Sequence, residues 1–256
     1  MYFHVFSDIH LEFCKEYSMK GHINKNSGEE INLILAGDIG YPESDYYKNF
    51  IRRCSKLYSN VFVIAGNHEY YKKTLEETNI LLNDFYENLK NENINNVFYL
   101  NNKMICHNDI YIIGSTLWSY VDDTAKEMIK CGYAVNDYNL IKNYTADVNN
   151  NLYQENYNFL ETSIKYVKEM NKKCIVITHH LPSFELVEAK FKEYGDMNKF
   201  FASDCNELIQ DPVLYWIYGH THSSYQKNIN NVNMMCNPKG YMSELSKYNK
   251  KLIFQI

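Results

Sequence analysis

Five short apolar runs, each stopped by an acid, an amide or a histidine, constrain this chain more than any other feature. They are Tyr2-Phe-His-Val-Phe-Ser-Asp8-Ile-His10, Asn32-Leu-Ile-Leu-Ala-Gly-Asp38, Val61-Phe-Val-Ile-Ala-Gly-Asn67-His68, Cys174-Ile-Val-Ile-Thr-His179-His180 and Tyr215-Trp-Ile-Tyr-Gly-His220-Thr-His222. Short runs rich in Val, Ile and Phe and closed by Gly or a polar cluster read as buried strands. Five such strands deliver polar groups to one edge of a sheet, and that edge is where α/β folds place their ligands.

The stretches between the runs alternate with them in period. Asp45 to Ser59 sets Tyr46, Tyr47, Phe50, Ile51, Cys54 and Leu57 at helical spacing, and Leu75 to Leu89 repeats the pattern with Ile80, Leu81, Leu82, Phe85 and Leu89. Short strands are expected at 97–100, 104–106 and 110–113, as a meander. Residues 118–170 read as a helical insertion or cap, with a helical piece at 125–129, a turn at Asn136-Asp137-Tyr138 and a longer helix over 153–168. A helix is expected near 186–193, and another start at 202–209 with Ser203 or Asp204 as its N-cap. Strands at 232–236 and 251–256 are expected to close a second sheet. Residues 14–30, with Gly21, Asn24, Asn26, Ser27 and Gly28, read as a loop that could border a site. A length of 256 residues suits one domain over 1–256.

Composition excludes several classes. No apolar stretch approaches the roughly 20 residues that span a bilayer, and the start is already strand-like, without a basic n-region or cleavage site. An intracellular, cytoplasmic protein with no membrane association is expected. The seven cysteines are scattered, odd in number and without a Cys-x-x-Cys pair, which argues against a disulfide framework and a zinc ribbon. A formal charge of −5 gives no field to collect polyanions, so extended nucleic acid is disfavoured while a small phosphorylated substrate is not. A homo-oligomer is compatible with the sequence.

The residue types at the run ends suit metal ligation. In an extended segment positions i and i+2 face the same side, so Asp8 and His10 could meet one metal together. The carboxylate of Asp38 has two oxygens and could bridge two cations roughly 3.5–4 Å apart. Asn67 offers a neutral carbonyl oxygen, and His179, His220 and His222 complete the shells. Mixed nitrogen and oxygen ligation suits divalent transition metals better than calcium. Taken singly, Asp8 or Asp38 is better explained by capping a turn; the ordered set is not.

In this order Asp-x-His, Gly-Asp, Gly-Asn-His-Glu, a strand-end His and Gly-His-x-His, running from Ser7 to His222, resemble the calcineurin-like metallophosphoesterase superfamily. More narrowly, Gly114-Ser-Thr-Leu-Trp118, Asn136-Asp-Tyr138, Thr178-His-His-Leu-Pro-Ser183, Ala202-Ser-Asp204 and Asn237-Pro-Lys-Gly-Tyr241 resemble a bacterial-type subgroup of small phosphoesterases. The resemblance implies an α/β, four-layer αββα metallophosphoesterase sandwich of two mixed sheets flanked by helices. It implies one metal held by Asp8, His10, Asp38 and His222, and another by Asp38, Asn67, His179 and His220. The ions would be manganese first, with iron, zinc, cobalt or nickel as alternatives. A hydroxide bridging them would attack phosphorus, with His68 as general acid, in a phosphodiesterase or phosphomonoesterase reaction. Many relatives carry a further acidic residue after Gly-Asp to support that histidine, whereas Gly37-Asp38 is followed by Ile-Gly-Tyr-Pro. Glu69 and Glu12 are the candidates for that support.

Other residues divide between function and packing. His179 is preferred to His180 as a ligand because it is nearer the strand end, leaving His180 beside the substrate. Asn136, with Asp137 and Tyr138, either hydrogen-bonds a substrate or makes an Asx turn. Lys239 either meets a phosphate or is an exposed hairpin lysine. Trp118 and Tyr120 either line a pocket or cover the sheet, and His4, His22 and His107 are assigned to surface or packing. Two other functions compete with the hydrolase: a non-catalytic metal-binding interaction scaffold, and a nuclease acting on single-stranded nucleic acid. Retention of His68 favours the enzyme over the scaffold, and the acidic balance disfavours the nuclease.

Overall fold

A computed structural model describes residues 1–14, 17, 18, 30–244 and 246–256. Two sheets lie face to face between helices. The first has the order β11-β1-β2-β3-β4, built from β1 (Tyr2–Phe6), β2 (Ile31–Ala36), β3 (Val61–Ile64), β4 (Val97–Tyr99) and β11 (Ile253–Gln255). Strands β1 to β4 run parallel, and β11 pairs antiparallel to β1. The second has the order β5-β6-β7-β8-β10-β9, from β5 (Lys103–His107), β6 (Ile110–Gly114), β7 (Lys173–Ile177), β8 (Val213–Tyr218), β9 (Tyr225–Ile229) and β10 (Val232–Cys236).

The period-2 alternation of each strand divides its residues between two cores. In β2, Ile34 and Ala36 face the other sheet, while Leu33 and Leu35 face helices. In β7, Ile175 and Ile177 join the same inter-sheet core, while Cys174 and Val176 face outward. Outside the first sheet pack α2 (Asp45–Leu57), capped by Ser44, and α3 (Leu75–Asn91), whose Thr74 and Glu77 form a capping box. They bury Tyr47, Phe50, Ile51 and Cys54 from one and Leu82, Phe85 and Leu89 from the other. Outside the second sheet packs α6 (Ala146–Glu169), through Leu160, Ile164 and Val167 against Val176 and Trp216. Each fully buried aliphatic or aromatic side chain contributes about 1.5–3 kcal/mol, and such residues fill all three interfaces. The four-layer α/β sandwich is thus a direct reading of strand alternation and helix amphipathicity.

Several local expectations are corrected. The segment 97–113 is not a meander: β4 lies parallel to β3 in the first sheet, and β5 and β6 form a hairpin that opens the second. The strand within 251–256 closes the first sheet, not the second. The expected helix at 186–193 is a pair of 3-10 segments, Phe184–Leu186 and Ala189–Phe200, the latter kinked where Gly195 takes φ 53°. At 202–209 the short 3-10 turn Asn206–Leu208 starts after Cys205; Ser203 Oγ accepts the Tyr120 N–H and Asp204 accepts that of Asn206 at 3.3 Å. Helix α6 begins seven residues before the expected 153, because Thr145 caps it and buried Asn149 bonds Ser119 O, which overrides the weak propensity of Asn149 to Asn151. Of the expected loop at 14–30, residues 15, 16 and 19–29, including His22, lie outside the described residues. Cys14 instead closes the short helix α1 (Leu11–Cys14). Among the described residues no helix is long and apolar enough to cross a membrane, and the seven cysteines are free.

Candidate metal centre

The parallel strands β1, β2 and β3 end at the same edge of the first sheet, and β7 and β8 end opposite them in the second. The polar endings therefore meet between two sheets rather than along one. Nor do Asp8 and His10 come from an extended segment as the i, i+2 argument expects. Their φ values are 51° and 52°, and Asp38, His220 and His222 take 55°, 66° and 50°. Such left-handed backbone in residues with a Cβ costs on the order of 1–3 kcal/mol each. The chain is held there by bonds from Asp8 N–H to Gly37 O, His10 N–H to Asp38 O and Gly240 N–H to Asp8 O, each 3.0 Å.

Two glycines make the close approach possible. A Cβ on Gly66 would lie 2.2 Å from Asp38 Oδ1 and 2.7 Å from His179 Nε2. Gly37, at φ 85°, would place one 2.5 Å from His179 Nδ1. These side chains pack directly on backbone, so the Gly that precedes Asp38 and the one before Asn67 are steric requirements of the centre.

Three overlapping groups gather there: Asp8 with His10 and His222, His10 with Asp38 and His68, and Asp38 with His179 and His220. Asp38 Oδ2 is 3.4 Å from His179 Nε2, 3.9 Å from His10 Nε2 and 3.9 Å from His68 Nε2. His222 Nε2 is 3.4 Å from Asp8 Oδ1. Asn67 Oδ1 is 3.1 Å from His179 Nε2. The outer ring nitrogens meet acceptors: His10 Nδ1 on Glu12 Oε1 at 2.9 Å, His222 Nδ1 on Glu244 Oε2 at 2.6 Å and His179 Nδ1 on Ala36 O at 2.8 Å. An acceptor there keeps the proton on Nδ1 and turns the Nε2 lone pair inward, the arrangement metal-binding imidazoles use.

That donor set fits cations. His10 Nε2 and His222 Nε2 are hydrogen-bonded at 3.0 Å, and His222 Nε2 is 3.4 Å from Asp8 Oδ1, so a cation could take both nitrogens in place of the proton they share. His220 Nε2 is buried and has no hydrogen-bond partner among the described residues. Imidazole nitrogens, carboxylates and an amide oxygen together suit transition metals. Burial disfavours charge on His179, yet Asp38 and Asp8 lift its pKa to about 10. His222 is lifted likewise to about 9 by Asp8 and Glu244 against the effect of burial. Below those values both rings carry a proton that a cation must displace, so affinity should tighten as pH rises. The expected gain between pH 6.5 and 8.5 is about tenfold per unit for each displaced proton. Calorimetry of manganese binding in buffers of different ionisation enthalpy checks this; an affinity and enthalpy independent of pH and buffer would refute it.

His68 opens a 3-10 turn, His68–Tyr70, and its backbone N–H donates to Asp38 Oδ1 at 2.9 Å. Its Nδ1 meets the same Glu12 oxygen as His10, again at 2.9 Å. Glu69 does something else: it accepts the backbone N–H groups of Asp38, Ile39, Gly40 and Gly66, tying two strand-end loops together. Of the two candidates for supporting His68, the geometry places Glu12 on it. Burial lowers the His68 pKa, but Asp38 and Glu12 outweigh that and raise it above the ordinary histidine value.

The remaining candidates separate clearly. Asn136 is exposed at the start of α5 (Asp137–Leu140), where its carbonyl accepts from Asn139 and Leu140. Its neighbour Asp137 is the buried one, accepting from Asn67 Nδ2 and Tyr71 OH, both at 2.7 Å. Asp137 thereby fixes which end of the Asn67 amide faces His179, a role the Asn-Asp-Tyr triplet gave no means of assigning to one member. We expect Asp137→Asn to weaken cation binding by about 10- to 100-fold with the fold intact, read by metal content after dialysis; unchanged content would count against it. His180 is buried, stacked on His220 at 4.3 Å and bonded through Nδ1 to Ser119 Oγ at 2.7 Å. Lys239 donates to Ile9 O at 3.2 Å, bracing the turn between Asp8 and His10. His4 packs inside, bonded to Tyr58 OH and Lys250 O, and His107 sits near Asn60 and Glu30. Trp118 is buried against Tyr70, Tyr144 and His180, and Tyr120 is half exposed on Tyr153. Tyr241 and Glu244 also stand at the centre; the Asn-Pro-Lys-Gly-Tyr motif signals the first, and nothing in the sequence signals the second.

The sequence profile of the calcineurin-like phosphoesterases matches residues 1–224. An uncharacterized protein of Acanthamoeba polyphaga mimivirus is 30% identical over 265 residues, covering 95% of this chain and 92% of the viral protein. A RING finger protein of Plasmodium falciparum is 25% identical over 67% of this chain, a stretch that is 14% of that protein. Among solved structures, a phosphopantetheinyl hydrolase from Mycobacterium tuberculosis superposes with a TM-score of 0.71 at 14% identity, covering 95% of this chain and 93% of the other. That likeness is one of fold.

Proposed function

The chain belongs to the calcineurin-like phosphoesterase family, and from that premise we propose that it is a dinuclear metal-dependent phosphoric ester hydrolase acting on a small phosphomonoester or phosphodiester. The observation that carries this reading is Asp38, whose Oδ2 faces His10, His68 and His179 within 3.9 Å. One divalent transition-metal ion would be held by Asp8, His10, Asp38 and His222, and the other by Asp38, Asn67, His179 and His220, with manganese first among the candidates. When bound, such a pair supplies a water acidic enough to attack at neutral pH and offsets charge on the phosphoryl oxygens.

The protein's own groups supply the rest. Asp8 accepts the His220 N–H through both oxygens, at 3.0 and 3.2 Å, and so locks the second sheet's ligand loop to the first. His68 presents Nε2 to the centre and holds Nδ1 on Glu12, so its protonated ring has one proton to give and one that stays. Giving the Nε2 proton to the departing oxygen avoids release of an alkoxide. A buried, carboxylate-supported histidine outside both proposed ligand sets favours the enzyme over a scaffold that only binds metal. Residues 1–256 are proposed as one domain, whose segment 118–170 supplies both Asp137 and the outer helix α6.

The test is a substrate screen of metal-reconstituted protein with aryl monoester, aryl diester, cyclic nucleotides and single-stranded nucleic acid. Manganese-stimulated hydrolysis of a small ester is expected. Protein that holds two ions yet hydrolyses none of them would defeat the proposal, and cleavage of the nucleic acid alone would replace it with a nuclease.

A further inference from the structure

We infer that Tyr241 is a further residue of the reaction, its hydroxyl holding the leaving-group oxygen against His68; this rests on the hydrolase reading above. Tyr241 follows β10 on a segment fastened to β1 itself. Asn237 Nδ2 donates to Val5 O at 2.7 Å, Lys239 N–H to Ser7 O and Gly240 N–H to Asp8 O, both at 3.0 Å. The Tyr241 N–H then donates at 2.7 Å to Glu244 Oε2, the oxygen that also meets His222 Nδ1. The ring packs 4.6 Å from both His10 and His222, and its hydroxyl reaches 3.3 Å from His68 Nε2.

That nitrogen is the one a general acid must use, since Nδ1 is committed to Glu12. A phenol both donates and accepts. It can therefore accept from Nε2–H while the ring is charged and donate to Nε2 once the proton has gone, serving both states of the cycle. In the reaction, a water that has released one proton to solvent bonds to phosphorus as hydroxide, and the old P–O bond breaks with its electron pair on the leaving oxygen. The proton on His68 Nε2 passes to that oxygen, and the ring is left neutral with Nδ1–H on Glu12. The leaving oxygen comes to lie beside Nε2, where Tyr241 OH already is, and receives its hydrogen bond. Phe13, 59% exposed and edge-on to both Tyr241 at 5.4 Å and His68 at 6.3 Å, flanks that position with an apolar surface for the departing group.

Help of this kind matters in proportion to the basicity of the leaving oxygen. For Tyr241→Phe, manganese-loaded and compared with wild type over a series from alkyl to 4-nitrophenyl esters, kcat on alkyl esters should fall about tenfold or more. On the 4-nitrophenyl ester it should stay within about threefold, with metal content unchanged. In metal-free protein labelled with nitrogen-15 histidine, the His68 Nε2 signal should shift and the Nδ1 signal should not. Equal losses on every ester, no loss on any, or an unmoved Nε2 signal would overturn the inference while leaving the hydrolase reading intact. A wild-type protein inactive on the whole series would overturn both.

Discussion

Asp38→Asn is expected to remove both ions and nearly all turnover in one step. Its carboxylate is the group common to the two proposed ligand sets, with Oδ2 3.4 Å from His179 Nε2 and 3.9 Å from His10 Nε2. An amide keeps the shape but loses the negative charge, and it puts either its NH2 or a neutral oxygen where both cations would sit. Charge compensation by the ions is worth several kcal/mol in the transition state, so activity should fall about a thousandfold or more at 1.36 kcal/mol per factor of ten. The fold should survive, because Glu69 holds the loop through the Asp38 and Ile39 N–H groups and an asparagine oxygen can still accept the His68 N–H. Metal analysis beside circular dichroism decides it: a folded variant that retains two ions would sink the bridging role.

His68→Ala should separate chemistry from metal binding. His68 donates to Asp38 Oδ1 through its backbone N–H, which alanine keeps, and its ring, whose nitrogens face Glu12 and Tyr241 with Nε2 3.9 Å from Asp38 Oδ2, belongs to neither proposed ligand set. Turnover should fall about 10²- to 10⁴-fold while both ions stay. Glu12→Gln should fall between, since an amide still accepts one imidazole N–H but no longer favours the charged ring. If His68→Ala loses as much metal as Asp38→Asn, the division of labour between the two is wrong.

The proposed ligands were legible because each is a metal-competent residue at the end of an apolar run; that the endings of β1, β2 and β3 would face those of β7 and β8 across two sheets was not. How they are presented was not legible. The period of β1 gives no notice that Asp8 and His10 turn into left-handed backbone, because that conformation is imposed by bonds to Gly37, Asp38 and Gly240. Alternation in 251–256 shows which residues are apolar but not which sheet they join. Asp137 and Glu12 act on Asn67 and His68 across 70 and 56 residues, a distance over which spacing carries no information. The choice between Glu12 and Glu69 turned on tertiary contact alone, since both are acidic neighbours of a histidine.

Strand β1 is flanked by β2 on one side and by β11 on the other. While the chain is being made, Asp8 and His10 therefore emerge early on a strand whose second edge stays open until residues 253–255 have followed. Their partners on the other sheet, His179, His220 and His222, are themselves late arrivals. Until those three have emerged, a nascent chain can present only part of the proposed ligand set, so firm loading is expected late in synthesis or after release. A chain stopped short of 253 would leave β1 as a bare edge open to pairing with another molecule, and would risk aggregation before it ever met its metal.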